Sequence, residues 1–308
     1  MSVCAPVAFF TYNRPIHTKK ALEALRANKL AENTDLYIFS DGAKGEADQG
    51  KVREVRSVIG NVDGFRSVTI TTQEKNVGLA SSLIKGVTTT VENFGKLIVL
   101  EDDLITSPAF LSYMNRALDY YEETPEVWHI SGWSFPSASS TKAESFFWRH
   151  MTCWGWGTWA DRWRHYEKDV DKLLKSFSSQ QIRRFNLDGN EKLWSQVTDN
   201  KFGKVDTWAI FWYATIFQKC GLCLNPTSSF VWNIGADGSG TNAGPALHEK
   251  NTHEYELNAN AQVVFPDVIK ESKWALDCYI QYQKMIRGSR TSRTAKKVKR
   301  YITRLIKP

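Results

Sequence analysis

The first hundred residues alternate between two hydrophobic patterns. A continuous apolar run over 3–10, ending in the polar stretch Thr11-Tyr-Asn-Arg-Pro15, predicts a buried strand followed by a loop. Thr18, Ala21, Leu22 and Leu25 then recur at helical spacing. The alternation continues with a strand over 36–40 stopping at Asp41-Gly42, a helix over about 51–59 and a strand over 67–72. Asn76-Val-Gly78 opens a helix through Val91, and a strand over 97–100 stops abruptly at Glu101-Asp102-Asp103. Strands alternating with helices predict an α/β fold, a Rossmann-like, mostly parallel sheet flanked by helices, with ligands beyond the carboxyl ends of the strands. Those ends carry Thr11, Asn13 and Arg14, then Asp41, then the three acids, so residues 1–127 read as a nucleotide-binding half.

From Trp128 the pattern changes to short apolar segments and aromatic loops, which suits an acceptor-binding half over 128–285 sharing the same sheet. The stretch Gly235 to Gly244 is rich in residues that tolerate turns, and reads either as a loop closing over substrate or as a plain surface loop. No G-x-G-x-x-G follows the first strand and no G-x-x-x-x-G-K-[ST] occurs, which argues against dinucleotide and P-loop sites.

Composition changes this picture in two places. The net charge of +7 over 308 residues suggests a nucleic-acid partner until it is located. Arg287, Arg290, Arg293, Lys296, Lys297, Lys299, Arg300, Arg304 and Lys307 are nine cations with no acid among them, and subtracting them leaves −2 for the body. The folded part is therefore not a basic nucleic-acid platform, and 286–308 is a separate tail. Within it Val298, Ile302, Leu305 and Ile306 recur at helical spacing among cations, which suits an amphipathic helix on an anionic membrane surface, a disordered tail or a partner contact. Five scattered cysteines and the lack of a signal peptide or membrane-spanning apolar run point to a reducing, cytoplasmic location, peripheral on the inner membrane face if the tail binds lipid. Cys220 and Cys223 have the C-x-x-C spacing without a second ligand pair, and read as buried free thiols.

Glu101, Asp102 and Asp103 repel one another unless a cation neutralises them. A divalent ion such as Mn²⁺ or Mg²⁺ takes carboxylate oxygens and a diphosphate together, and a solvated helix N-terminus before Ser107-Pro108 is the competing reading. Trp154-Gly-Trp-Gly-Thr-Trp159 sets indoles beside glycines, suited to a sugar face or to a packed aromatic core. Asp206 lies before Trp208 and Trp212 and reads either as a partly desolvated base or as a helix N-cap. His248 and His253 follow the glycine-rich loop, either near a diphosphate or simply on the surface.

The segment Leu97 to Tyr113, LIVLEDDLITSPAFLSY, resembles the donor-site segment of the N-acetylglucosaminyltransferase I family and, more broadly, bacterial family-two polysaccharide glycosyltransferases. The resemblance continues through Trp128 to Trp133, through Phe147 to Trp159 and through Asp206-Thr-Trp208, over about the first 245 residues. It implies a GT-A fold, a Mn²⁺ or Mg²⁺ ion, a UDP-sugar donor and inversion at the anomeric carbon. Residue by residue it implies Asp103 as metal ligand, Asp102 facing the ribose or a metal-bound water, and Glu101 on the donor sugar. Arg14 falls near the diphosphate, Asp41 at the uracil and Asp206 at the base position, while Thr11, Asn13, Asn76 and Trp156 complete the expected donor site. The tryptophan-rich loop departs from the mammalian-type enzymes, so the acceptor and donor sugar stay open. The expected activity is transfer to a glycan or lipid-linked glycan in surface polysaccharide synthesis. A nucleotidyltransferase would show a Gly-rich basic N-terminal loop, which 11–15 lacks, and a non-catalytic carbohydrate-binding protein on the same fold would have no use for Asp206.

Overall fold

The computed structural model describes residues 4–135, 142–235, 237 and 257–284. The basic tail, His248, His253 and most of the glycine-rich stretch lie outside the described residues.

One eight-stranded sheet runs through the chain in the order β3-β2-β1-β4-β8-β6-β9-β7. Its strands are β1 (Val7–Thr11), β2 (Asp35–Ser40), β3 (Ser67–Thr72), β4 (Lys96–Glu101), β6 (Val127–Ser131), β7 (Ser145–Trp148), β8 (Trp156–Trp159) and β9 (Leu222–Pro226). A short β5 (Leu104–Thr106) pairs separately with β10 (Val231–Asn233). Six strands run one way, and only β8 and β7 oppose them. The mostly parallel α/β sheet expected from the alternating pattern is thus present. Residues on both sides of Trp128 belong to it.

Helices cover both faces because the inner strands are apolar on both. Val7, Phe9, Ile98 and Leu100 point into one core with Leu22 and Leu25 of α1 (Pro15–Arg26), Val55 and Ile59 of α2 (Glu46–Gly60) and, across β5, Phe110 and Met114 of α4 (Phe110–Tyr120). Their neighbours Ala8, Phe10, Leu97 and Val99 point the other way, against Leu83 and Val87 of α3 (Leu79–Phe94). This period of two is the pleat of a strand, and it explains why these segments read as unbroken apolar runs. Pro15 opens α1, where its missing N–H costs nothing, and α3 ends at Gly95 with φ +79°. Between β8 and β9 the chain forms α5 (Ala160–Trp163), α6 (Val170–Ser176), α7 (Ser179–Phe185), α8 (Trp194–Lys201) and the mostly apolar α9 (Ala209–Gln218), which buries Ile210 through Ile216 beneath the sheet.

Among the described residues no helix is long and apolar enough to cross a membrane. All five cysteines are free, with Cys223 buried as expected; Cys220 is exposed, on a turn with φ +53°, and corrects the reading of a buried pair.

Candidate active site

β1 and β4 are neighbours, and the register Phe10 to Glu101 brings the loops leaving their carboxyl ends together. Asp102 is 4% exposed and accepts from the Thr11 hydroxyl at 3.2 Å, the Tyr12 backbone N–H at 3.4 Å and Nη2 of Arg14 at 2.5 Å. The same Nη2 reaches Oδ2 of Asp103 at 2.9 Å. Thr18 donates both its backbone N–H and its hydroxyl to the Arg14 carbonyl at 2.9 Å, so the first turn of α1 fixes the arginine in place. Three adjacent acids were expected to need a dication, and here Arg14 supplies the counter-charge for two of them. Asp102, expected to face a ribose or a metal-bound water, is nearly buried and engaged by three donors, from Thr11, Tyr12 and Arg14.

Electrostatics separates the three acids. Burial would lower the pKa of Arg14, but Asp102 and Asp103 outweigh it, and the guanidinium is held more firmly charged. Burial raises Asp102, with Arg14 opposing. Glu101 accepts no hydrogen bond from any described residue, and burial, with Asp103 and Asp102 alongside, pushes it up to about 8.

The chain returns over this cluster through β10. Ile234 N–H bonds the Asp103 carbonyl at 2.8 Å, and the next residue packs so tightly that a Cβ on Gly235 would collide with Oδ2 of Asp103 and come within 2.9 Å of Nη1 of Arg14. His17, on α1 three residues beyond Arg14, lies 3.1 Å from Asp237. A larger residue at 235 would push the Asp103 and Arg14 side chains aside. The sequence marks Gly235 merely as part of a turn-rich stretch.

Asp41, at the end of β2, is 5% exposed and accepts four hydrogen bonds. Gly42 N–H (2.8 Å) and Val77 N–H (2.9 Å) bond Oδ1, while Asn76 Nδ2 (2.9 Å) and Gly78 N–H (3.0 Å) bond Oδ2. Two lone pairs on each oxygen are then used, so the expectation that Asp41 reads uracil is corrected: it anchors the β3–α3 loop to β2. Asn76 serves the same anchor and also bonds the Gly42 carbonyl at 3.0 Å. Gly42 is required because a Cβ there would meet Lys75 O at 2.7 Å. Asn13 points outward and donates to Asp48 at 2.8 Å, beside the Tyr12 hydroxyl at 2.9 Å. Tyr12 thereby links the acid cluster, through its N–H, to the start of α2; neither it nor Asp48 carries a motif that marks it in the sequence.

Two expected residues are placed differently. Trp156 is fully buried, with its ring stacked on His129 at 5.3 Å and on Trp208 at 5.3 Å, so it has no face for a donor sugar. Gly155, at φ +64°, turns the chain so that Trp156 enters the core while Trp154 remains partly exposed. Asp206 is exposed and ion-paired with Lys168, and α9 has Trp208 as its N-cap. The expected desolvation of Asp206 is corrected, and so is the capping alternative.

The donor set suits a hard dication. Among the described residues Asp103 keeps Oδ1 free of hydrogen bonds, as does the whole Glu101 carboxyl, and Nη1 of Arg14 is buried without a partner. Among the described residues no three His, Cys, Asp or Glu side chains converge as a metal cage. The protein would contribute one or two carboxylates and leave the remaining positions to phosphate oxygens and water, the usual habit of Mg²⁺ in phosphate sites.

No protein-family model matches the chain, and no curated protein matches it. Among solved structures it is similar to a mannosyltransferase from Pyrobaculum calidifontis in complex with GDP-Man and Mn²⁺, at TM-score 0.40 and 10% identity over 71% of this chain and 70% of that one. It is similar to S. aureus TarS, at TM-score 0.43 and 6% identity over 74% of this chain but only 60% of that one. It is also similar to the galactosyltransferase LgtC in complex with donor and acceptor sugar analogues, at TM-score 0.36 and 8% identity over 69% and 70%. At such scores these are likenesses of outline, and what this chain does has to come from its own residues.

Proposed function

We propose that this chain is an inverting glycosyltransferase of GT-A type, which takes a hexose or N-acetylhexosamine from a UDP-sugar with the help of Mn²⁺ or Mg²⁺. The observation that carries the reading is the cluster beyond β1 and β4: Arg14 with a buried Nη1 that has no partner among the described residues, beside oxygens of Asp103 and Glu101 that those residues leave open. A buried cationic donor without an acceptor suits an anionic ligand, and hard carboxylate oxygens beside it suit a diphosphate carried with a dication.

In this reading Nη1 of Arg14 would take a diphosphate oxygen, Asp103 would hold the metal and Glu101 would hydrogen-bond the donor sugar. The bound metal would neutralise charge on the departing diphosphate. Asp206 takes the proton of the acceptor hydroxyl as that oxygen bonds the anomeric carbon and the bond to the diphosphate breaks, its electron pair leaving with the nucleotide. Lys168 must release Asp206 for this, and a seated acceptor would supply the desolvation that the exposed carboxylate now lacks. The acceptor is a glycan or lipid-linked glycan of surface polysaccharide synthesis, with 287–308 against the inner face of the cytoplasmic membrane.

A thermal-shift panel of UDP-, GDP- and dTDP-sugars with and without Mn²⁺ tests the donor, and a metal-dependent rise with a uridine nucleotide is expected. A rise with a guanosine nucleotide alone would refute the uridine assignment, and no rise with any would refute the transferase reading. Asp206→Asn is expected to bind the donor normally and to lose transfer by about 100-fold or more. Retained turnover would remove Asp206 from the reaction.

A further inference from the structure

The indoles of Trp133 and Trp154 each pack part of their surface against the core and leave part exposed. Both are partly buried, and their rings meet edge to face with centroids 5.0 Å apart and planes at 78°. Their position follows from strand directions. β4 and β6 both run antiparallel to β8, so the carboxyl ends of β4 and β6 and the amino end of β8 lie along one edge of the sheet. That edge carries Glu101, then Trp154 two residues before β8, then Trp133 two residues after β6.

Two glycines bring the pair together. Gly132 N–H bonds the Gly155 carbonyl at 2.6 Å, and a Cβ on Gly132 would stand 2.8 Å from that oxygen. At Gly155 a Cβ would meet Val231 at 2.8 Å, and its φ of +64° turns Trp154 away from the core that holds Trp156. The Ser131 hydroxyl braces both segments: it bonds the Trp133 carbonyl at 2.9 Å, accepts the Trp133 N–H at 3.2 Å and contacts the Thr152 hydroxyl. The ring of Tyr282, on the helix over 273–284, approaches Trp133 at 6.4 Å. The acid cluster is close by: β4 ends at Glu101, and its Val99 pairs with Trp156, two residues after Trp154.

We infer that Trp133 and Trp154 form a binding platform for one pyranose ring of the acceptor glycan, seated beside Glu101 and Asp103. An indole offers a flat apolar face to the axial C–H bonds of a sugar, and carboxylates at the edge accept from its hydroxyls. A nucleobase would stack as well, but it offers the neighbouring acids at most one or two N–H donors, whereas a pyranose offers several hydroxyl donors. The inference rests on the transferase reading for the word acceptor alone. Pyranose binding at these two rings stands without it.

The test uses the full chain and the indole N–H signals of its two-dimensional ¹H–¹⁵N spectrum. Trp133→Phe and Trp154→Phe, which keep an aromatic ring in each place, identify the two signals by their loss. The parent protein is then titrated with the methyl β-glycosides of glucose, galactose and N-acetylglucosamine and with methyl α-mannoside. At least one glycoside is expected to shift both signals more than the other indoles, and to bind Trp154→Phe about fivefold more weakly. Shifts confined to other indoles, or no shift with any of the four, would overturn the platform. If a glycoside shifts both signals while no nucleotide-sugar raises the melting point, the platform stands and the transferase reading fails; the reverse pattern sinks the platform alone.

Discussion

Nη2 of Arg14 lies 2.9 Å from Oδ2 of Asp103, so the acid expected to hold a metal is already partnered by a cation of the protein itself. Asp102 shares that nitrogen at 2.5 Å. An arginine here offsets the charge of the acidic cluster and would compete with a dication bound there.

Replacing that cation should therefore change metal binding before any nucleotide is present. Arg14→Met is expected to bind Mn²⁺ about tenfold more tightly than the parent, because Asp103 no longer exchanges one positive partner for another. Its affinity for a nucleoside diphosphate should fall in parallel. Calorimetry with Mn²⁺ alone checks the first, and an unchanged or weaker Mn²⁺ affinity would show that Arg14 and the metal do not compete.

The two neighbouring aspartates should separate by assay. Asp102→Ala leaves the Arg14 charge half-paired and strips acceptors from Thr11 and the Tyr12 N–H, so it is expected to cost about 3 kcal/mol of stability. Asp103→Ala should cost about 1 kcal/mol, because Asp102 still holds Arg14, and yet abolish Mn²⁺ binding and sugar transfer together. Urea unfolding and Mn²⁺-dependent transfer measured side by side would expose a reversed assignment.

Asp41 should behave as an anchor. Asp41→Ala leaves three backbone N–H groups and the Asn76 amide without their acceptor, and is expected to lower stability by about 2–4 kcal/mol. Preference among nucleotide bases should stay as in the parent. A variant of full stability that has lost its base preference would restore Asp41 as a base reader.

A pH dependence follows from two buried imidazoles. His129 donates from Nε2 to the Thr152 carbonyl at 3.0 Å and accepts from Trp212 at Nδ1 at 3.3 Å, and burial pushes its pKa down to about 3. Burial, then the charge of Arg149, pushes His150 down to about 4. The folded values lie below the unfolded value of about 6.5, so as pH falls the unfolded chain takes up protons that the native state refuses, and stability is lost. Glu101 has the opposite sign, because its raised pKa favours the folded state at low pH, and a difference between proteins is the clean reading. Between pH 7 and 5 the parent is expected to lose about 1–2 kcal/mol more than His150→Gln in urea unfolding. Equal losses would mean that His150 is not held neutral.

Much of the first half of the fold is legible in the chain. Val7 and Phe9 face one core, Ala8 and Phe10 the other, and a strand covered on both faces must read as an unbroken apolar run. The turn to Thr11, Asp41 and Glu101 marks where each strand leaves the sheet, so the edge that bears ligands is visible too. In the second half β6 to β10 are three to five residues each and the helices between β8 and α9 are short, too short for periodicity to separate strand from helix.

What the sequence by itself determined is the order of buried segments and the polar ends at which they stop, because burial acts locally on each residue's choice of face. The tertiary structure alone decided which of three adjacent acids turns inward, which of two tryptophans flanking Gly155 keeps an open edge, and whether Asp41 is free. Each depends on partners distant along the chain: Arg14 meets Asp102 across 88 residues, Ala5 meets Asn115 across 110, and Gly132 meets Gly155 at a contact that leaves no room for a Cβ on Gly132. Hydrogen bonds and ion pairs of that kind are set by geometry between strands, and no pattern along one strand records them.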